Sequence, residues 1–263
     1  MDTNLKLTVA FLAAVFFMSM DSDDAEAQPA VRFDAGAVNF TSISFQEALD
    51  METCWSPGVQ LGFEYDIRVK NRFYITPGLT WSWRSAIMYD AYNSDPDLQL
   101  MGSELMSEHF LNLPVHFKWN FDIVPEKFAI FLYIGPVFSA GLASSSRLDF
   151  KSDIDGVHIT VNGKYDYYSG SNNFQVRLFP ALESTENALK KAMAETRVWH
   201  GRFQMRLESG VGFRIFRHYE MVLGSDFDLH NRYVGDMAAS SILQSSFYYV
   251  GFRYRFGKFR NRD

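Results

Sequence analysis

Hydrophobic and polar residues alternate along eight stretches of the chain from residue 31 onward. In RFQMRLESGVGF, residues 202–213, the apolar side chains Phe203, Met205 and Leu207 are separated by charged or amide residues. Strict alternation of this kind indicates β-strands with one apolar and one polar face. Each stretch has ten residues or more, which suffices for a tilted strand to cross a bilayer. The stretches span residues 31–40, 59–69, 72–84, 109–121, 127–142, 201–216, 220–230 and 246–256.

The connections between these segments alternate strictly between short and long. The short ones are residues 70–71, 122–126 and 217–219, and the long ones are residues 41–58, 85–108, 143–200 and 231–245. Outer-membrane barrels have tight periplasmic turns and long external loops in the same alternation. The sequence therefore predicts an all-β fold: an eight-stranded antiparallel up-and-down transmembrane β-barrel with long external loops.

The two faces of the predicted strands differ sharply in chemistry. The apolar face carries no ionisable side chain within a segment except His109 at one end, whereas the other face carries charges and most of the glycines. Glycine leaves space for long charged side chains inside a narrow closed barrel, so we predict that the charged face points inward. We expect these charges to pair, with Arg206 beside Glu208 or Glu64, because unpaired buried charges are costly. The predicted structural network in the lumen comprises Glu64, Asp66, Arg68, Arg202, Arg206, Glu208, Arg214, Asp226, Arg253 and Arg255.

The N-terminal residues resemble a cleaved secretory signal. Lys6 precedes a 14-residue apolar run, residues 7–20, and the small-x-small site at residues 25–27 precedes Gln28. We therefore predict a signal peptide over residues 1–27 and a single mature domain over residues 28–263, exported to the outer membrane of a Gram-negative bacterium. The single cysteine, Cys54, lies far from this site, so it is not the lipidated first residue of a lipoprotein.

The charge of the chain argues against nucleic acid as a partner, and two soluble folds are alternatives to the membrane barrel. A net charge of -6 and a pI of about 5.5 give no basic footprint for nucleic acid. A soluble barrel of lipocalin type or a β-sandwich would instead bury the apolar face as its core. Aromatic residues at segment ends, such as Trp81, Trp119 and Tyr254, favour the membrane barrel because aromatic rings collect at bilayer interfaces.

Two stretches, HFLNLPVHFKW at residues 109–119 and YYVGFRYRF at residues 248–256, resemble the PorT-type outer-membrane β-barrel family (outer membrane protein beta-barrel domain) of Gram-negative bacteria. The arrangement of strands and connections is similar to that of the family over residues 31–256. This resemblance implies an eight-stranded outer-membrane barrel, and the best-known members assist a protein secretion system linked to gliding motility. One departure is that residues 257–263 follow Phe256, whereas outer-membrane strands commonly end the chain on an aromatic residue.

The longest connection, residues 143–200, contains local structural signals of its own. Asn162-Gly163 lies between two strand-like stretches and predicts a type I′ hairpin turn in an external ribbon. After Pro180, residues 181–196 have apolar residues at helical spacing, with Glu186 and Lys190 one turn apart. These patterns predict a hairpin and a short amphipathic helix outside the membrane.

The sequence predicts no catalytic, cofactor or metal site. None of the six histidines lies in a recognised catalytic motif, and no metal-ligand spacing is present. Eight strands enclose only enough room for side chains, which disfavours a general pore. We therefore predict a non-catalytic outer-membrane protein whose external loops bind lipopolysaccharide or a partner protein. The alternatives are an accessory of a secretion or gliding machine, with a protein partner there, and a soluble exported barrel that binds an apolar ligand.

Overall fold

The computed structural model describes residues 27–44, 51–92, 99–125, 127–154, 157–180, 186–188, 190–191, 199–216, 218–235 and 241–256. The predicted signal peptide lies outside these residues except for Ala27, which begins the first strand. The strands are β1 (Ala27–Ser44), β2 (Met51–Cys54), β3 (Ser56–Lys70), β4 (Phe73–Tyr92), β5 (Gln99–Val124), β6 (Phe128–Ile154), β7 (Val157–Tyr165), β8 (Asn172–Phe179), β9 (Trp199–His200), β10 (Phe203–Ile215), β11 (Tyr219–Asp228), β12 (Tyr233–Val234) and β13 (Ser241–Arg255).

Eight of these strands close into a ring. The order is β10, β11, β13, β1, β3, β4, β5 and β6, and every neighbouring pair is antiparallel. A further antiparallel pairing joins β6 to β10 and closes the circle. Closure leaves no unpaired strand edge in the ring, which a sheet surrounded by hydrocarbon requires. The predicted eight-stranded antiparallel barrel is confirmed.

The register of the strands makes the barrel narrow. Starting at His109 on β5 and moving from partner to partner around the ring, the register returns to β5 at Trp119, ten residues further along. Eight strands with this stagger tilt by about 43° and form a barrel of about 8 Å radius. Long side chains from opposite walls can therefore meet across the lumen.

The connections sort to the two ends of the barrel as the sequence predicts. The short turns after β3, β5 and β10 lie at one end, together with Ala27 and Phe256. Asn71 and Phe216 adopt left-handed backbone conformations in two of these turns, with φ of 42° and 49°. Because tight turns are periplasmic in outer-membrane barrels, the opposite end, where the long connections lie, is external.

The wall continues above the external end of the barrel. β5 and β6 have 26 and 27 residues, twice the length of β10. β6 pairs with β10 as far as Ala140, and from Ser146 onward it pairs with β7 instead. β8 then pairs with β7, so β6, β7 and β8 form an external ribbon.

The turn in this ribbon differs from the prediction. Asn162 and Gly163 lie inside β7 and pair with both β6 and β8, so the predicted hairpin turn there is wrong. Gly163 is needed for packing, because a Cβ at this position would lie 2.4 Å from the Phe174 ring. The turn follows Tyr165 instead: the Tyr168 amide donates to Asp166 Oδ1 at 2.8 Å, and Gly170 has a φ of 67°.

In the part of the chain that the structure describes, helical structure is found in one short external segment. Residues 186–188 and 190–191 are helical, and Lys190 Nζ lies 2.5 Å from Glu186 Oε1, one turn away. No helix in the described part of the chain is long and apolar enough to cross a membrane.

Candidate functional site: the lumen, the external mouth and the ribbon

The charged side chains of the barrel strands point inward, together with a set of buried aromatic and aliphatic residues, whereas the outward-pointing side chains are mostly apolar. On β5, Phe117 and Trp119 are 44% and 55% exposed, whereas Lys118 between them is 2% exposed. On β10, Phe203 is 61% exposed and the neighbouring Gln204 is 1% exposed. The alternation of the sequence therefore corresponds to an interior that holds the charged residues and an exterior that is apolar.

Arg32 occupies the middle of the lumen. Its Nη1 donates to Glu64 Oε1 at 2.6 Å, and the same guanidinium contacts the carboxylates of Asp34 and Glu208. Its Nη2 also donates to the Tyr249 hydroxyl at 3.1 Å. One cation thus joins carboxylates from three different strands, β1, β3 and β10.

His116 and two tyrosines extend this central cluster. His116 Nε2 lies 3.2 Å from Glu208 Oε2, and its Nδ1 lies 3.7 Å from Glu64 Oε1. The hydroxyls of Tyr133 and Tyr249 are 2.6 Å apart. These contacts connect β3, β5, β6, β10 and β13 through the middle of the barrel.

A second cluster fills the periplasmic half of the lumen. Lys118 Nζ lies 2.9 Å from Glu220 Oε2 and 3.2 Å from Asp66 Oδ2. Arg214 Nε lies 2.8 Å from Glu220 Oε1, and Arg255 contacts both Glu220 and Asp66. Three cations and two carboxylates therefore share this space.

A third cluster lies toward the external end. Arg206 Nη1 is 3.2 Å from Asp226 Oδ2, and Arg84 contacts the same carboxylate. Arg206 also donates to Ser139 Oγ at 3.1 Å and to the Asn112 side-chain oxygen. Because paired charged groups occupy the lumen from end to end, the barrel interior is a polar core rather than an open channel.

The structure brings most of the predicted network together. The predicted residues that are buried in the lumen are Glu64, Asp66, Arg206, Glu208, Arg214, Asp226, Arg253 and Arg255. The predictions for Arg68 and Arg202 are wrong, because both side chains are exposed beyond the lumen. Arg68 Nε donates to the Asn71 carbonyl at 2.9 Å in a periplasmic turn, and Arg202 lies over the Tyr168 ring at the external rim.

The predicted partner of Arg206 is also wrong. Arg206 pairs with Asp226, whereas Glu208 is held by Arg32 and His116. The two side chains point the same way from β10, but each reaches a different layer of the lumen.

The external mouth holds a fourth buried cluster, centred on Glu108. This carboxylate contacts the Arg232 guanidinium, and its Oε1 lies 3.2 Å from His200 Nδ1 and 3.4 Å from the Tyr168 hydroxyl. The His200 ring stacks on Tyr167 with a centroid distance of 4.0 Å. Residues from two external connections, 143–200 and 231–245, therefore meet on one carboxylate of β5 and cover the lumen.

The electrostatics of the mouth are consistent with a closed lid. Burial and the nearby Glu108 carboxylate raise the pKa of the Tyr168 hydroxyl. Burial lowers the pKa of Arg232, but the carboxylates of Glu108 and Asp228 more than offset this and the net shift is upward. Tyr168 therefore stays neutral and Arg232 stays charged, so the contacts persist across the physiological pH range.

The sequence prediction missed Glu108 and Arg232, which lie outside the eight assigned segments. Glu108 could have been found, because the alternation of residues 109–121 continues toward the N-terminus and places Glu108 on the same face as His116 and Lys118. Arg232 follows the end of β11 and belongs to no alternating pattern. Among the described residues, no group of three or more His, Cys, Asp and Glu side chains is arranged to hold a metal ion.

The outward face of the external ribbon is basic. Arg147 on β6 is opposite Lys164 on β7, and both are exposed. Four residues further from the membrane on β6, Lys151 is opposite Thr160, which is in turn opposite Arg177 on β8. These four cations, Arg147, Lys151, Lys164 and Arg177, are named the ribbon cations below.

The inward face of the ribbon is apolar. Its buried side chains include Val161, Tyr165, Val176 and Leu178, and Phe174 packs against Tyr165 with a ring-centroid distance of 6.2 Å. The ribbon therefore has one face that packs toward the barrel axis and one that presents charge to the surroundings.

Residues 30–233 match the family described as outer membrane protein beta-barrel domain. The chain belongs to this family. The match covers most of the chain and includes seven strands of the ring and the external ribbon. Together with the closed barrel and its apolar exterior, membership of this family indicates a location in the outer membrane of Gram-negative bacteria.

Several solved outer-membrane barrels are similar to this chain at low sequence identity. Neisserial surface protein A is 10% identical, with 88% of this chain and 99% of that chain covered and a TM-score of 0.34. Ail of Yersinia pestis, in complex with the heparin analogue sucrose octasulfate, is 9% identical, with coverage of 87% and 99% and a TM-score of 0.35. The N-terminal barrel domain of Pseudomonas aeruginosa OprF is 8% identical, with coverage of 88% and 100% and a TM-score of 0.29. No curated protein matches the chain.

Proposed function

We propose that this protein is a non-catalytic surface barrel whose external ribbon binds the anionic groups of lipopolysaccharide. The observation that carries the proposal is the group of four ribbon cations on one exposed face. The described part of the chain provides no ion-pair partner for any of the four. They stand out against a chain with a net charge of -6.

The spacing of the ribbon cations suits phosphate groups. Side chains directly opposite each other on antiparallel strands have Cβ atoms about 5 Å apart, so Arg147 and Lys164 can contact one phosphate together. Lys151 and Arg177 lie two rows further out, on either side of Thr160, where they flank a second position for an anionic group. Two carboxylate residues, Asp149 and Asp153, lie on the same face of β6 by strand alternation, so the face has an excess of two positive charges.

The position of the ribbon supports the same ligand. Leu142 and Leu105 are 54% and 48% exposed at the base of the ribbon, where the apolar exterior gives way to the polar face. The ribbon cations begin at this boundary, because Arg147 is five residues beyond Leu142 on β6 and directly opposite Leu105 on β5. In the outer leaflet of a Gram-negative outer membrane, phosphorylated sugars of lipopolysaccharide lie directly above the hydrocarbon.

The filled lumen supports an interaction role over transport. The ion-paired clusters and the mouth cluster leave the interior occupied by protein side chains. The buried ion pairs of the interior argue against the soluble alternative, because a pocket for an apolar ligand is lined mainly by hydrophobic side chains.

Binding of purified lipopolysaccharide to the detergent-solubilised barrel tests the proposal. The variant Arg147→Gln/Lys164→Gln removes two ribbon cations, and we expect about fivefold weaker binding with a shallower salt dependence. The matched control is Lys190→Gln/Lys191→Gln, which removes two exposed charges from the external helical segment. Equal affinity of the ribbon variant and the wild type would contradict the proposal.

The secretion-accessory role implied by the family resemblance stays a prediction. Its test is a clean gene deletion followed by quantitative comparison of the secreted and surface-displayed proteins of the mutant and its complemented parent. Loss of a defined set of exported proteins would support that role, and an unchanged set would leave the surface-binding barrel as the better description.

A further inference from the structure

A groove of about 1000 Å³ opens at the periplasmic end of the barrel, beside the turn that joins β3 to β4. It is formed by the end of β3, the start of β4 and the end of β5. A register shift between Arg68 and Lys70 and the left-handed conformation of Asn71 shape this end of the hairpin. The groove therefore lies at the rim of the barrel, at the level of the inner leaflet.

The polar part of the groove carries three cations and one carboxylate. Arg68, Lys70 and Arg72 are all exposed, and Asp122 lines the groove from β5. Lys70, Arg72 and Asp122 have no ion-pair partner within the described part of the chain. Both signs of charge are therefore available to a ligand in one groove.

The apolar part of the groove faces the hydrocarbon. Val69 and Trp119 are 54% and 55% exposed, and Trp119 stacks on Phe121 with a centroid distance of 5.9 Å. These side chains continue the apolar exterior of the barrel, and a tryptophan in this position is typical of a membrane interface. A ligand that fills the groove thus has a charged head and an apolar tail.

We propose that this groove binds an inner-leaflet glycerophospholipid with a phosphoethanolamine headgroup. The phosphate lies between Lys70 and Arg72, the ammonium donates to the Asp122 carboxylate, and the acyl chains extend along Trp119 and Val69. A trimethylammonium headgroup has no N–H to donate to Asp122, so the groove discriminates against phosphatidylcholine. This site lies at the opposite end of the molecule from the ribbon, and it does not depend on the function proposed above.

Native mass spectrometry of the folded barrel tests the site. The protein is incubated in detergent with equal amounts of phosphatidylethanolamine, phosphatidylglycerol and phosphatidylcholine, and the retained lipids are counted. For the wild type we expect retention of phosphatidylethanolamine above phosphatidylcholine. In Lys70→Gln/Arg72→Gln we expect about fivefold less of both phosphatidylethanolamine and phosphatidylglycerol. Heat-dependent gel mobility checks that each variant is folded.

Two further variants make the result decisive. Asp122→Asn is expected to lower retention of phosphatidylethanolamine and to leave phosphatidylglycerol unchanged. The control Lys190→Gln/Lys191→Gln removes two exposed cations from the external helical segment, outside both proposed sites, and is expected to retain lipids as the wild type does. An equal loss in this control, or an unchanged ratio of phosphatidylethanolamine to phosphatidylglycerol in Asp122→Asn, would overturn the proposal.

Discussion

Arg32 and Glu208 form an ion pair across the lumen, although two strands, β11 and β13, separate their own strands in the sheet. The pair is possible because the barrel radius is about 8 Å, which a guanidinium and a carboxylate on long side chains can bridge. The contact therefore braces opposite walls of the barrel rather than neighbouring strands. The contribution of this ion pair to the free energy of unfolding distinguishes a polar core from a solvated channel.

Replacement of Arg32 by Leu is expected to lower the free energy of unfolding by about 3–5 kcal/mol. The substitution removes the cation shared by Asp34, Glu64 and Glu208 and leaves these buried carboxylates underpaired. Urea titration of the barrel in detergent, followed by tryptophan fluorescence, measures the change. Arg177→Leu is the matched control because Arg177 is exposed on the ribbon, and equal changes in the two variants would rule out this role of Arg32.

Alternation predicted the barrel and most of its lumen because both depend on a repeating local rule. A strand that crosses the barrel must place every second side chain inside, so eight of the ten proposed lumen residues are buried there. The alternation rule fails at strand ends. There, the odd or even position of a residue does not determine whether its side chain lies inside the lumen or beyond its rim. Arg68 and Arg202 are such cases.

The features that the sequence did not reveal depend on long-range pairing. Asn162-Gly163 has the local signal of a turn, but pairing with β6 on one side and β8 on the other holds it in an extended strand. The contact of Arg232 with Glu108 joins residues 124 positions apart. No local pattern predicts a contact between an irregular connection and a strand on another part of the ring.

Replacement of Arg206 by Leu is expected to lower the free energy of unfolding by a smaller amount, roughly 1–3 kcal/mol. Asp226 loses one cation but keeps Arg84, while Asn112 and Ser139 lose a donor. A double-mutant cycle of Arg206→Leu with Asp226→Asn measures the pairing directly. We expect strong coupling in this cycle and weak coupling in the cycle with Glu208→Gln, and the reverse order would contradict the observed pairing.

Replacement of Gly251 by Ala is expected to destabilise the barrel by about 3 kcal/mol. A Cβ at this position would lie 2.0 Å from Asp34 Oδ1, and Asp34 is held in place by Arg32. Gly201→Ala is the control, since the nearest atom to its Cβ would be 3.4 Å away. Urea titration of both variants tests the expectation that glycine is present on the inward face to make room for charged side chains, and similar stabilities would contradict it.

Replacement of Arg232 by Leu is expected to open the external mouth while leaving the barrel wall intact. The substitution leaves Glu108 buried without its guanidinium partner, so the segments that carry His200 and Tyr233 lose the contact that holds them over the lumen. Hydrogen exchange measured by mass spectrometry should show roughly 100-fold faster exchange in residues 199–202 and 229–234. Exchange in the strands of the ring should stay unchanged.

The control for the mouth is Arg202→Leu, because Arg202 lies beside this cluster but is exposed. It removes an arginine from the same rim without unpairing a buried carboxylate, and we expect wild-type exchange throughout. If Arg232→Leu instead accelerated exchange equally in all strands, the mouth would be part of the same cooperative unit as the barrel. Local acceleration alone would establish a separately opening lid, since only a unit with its own unfolding equilibrium can lose protection independently of the wall.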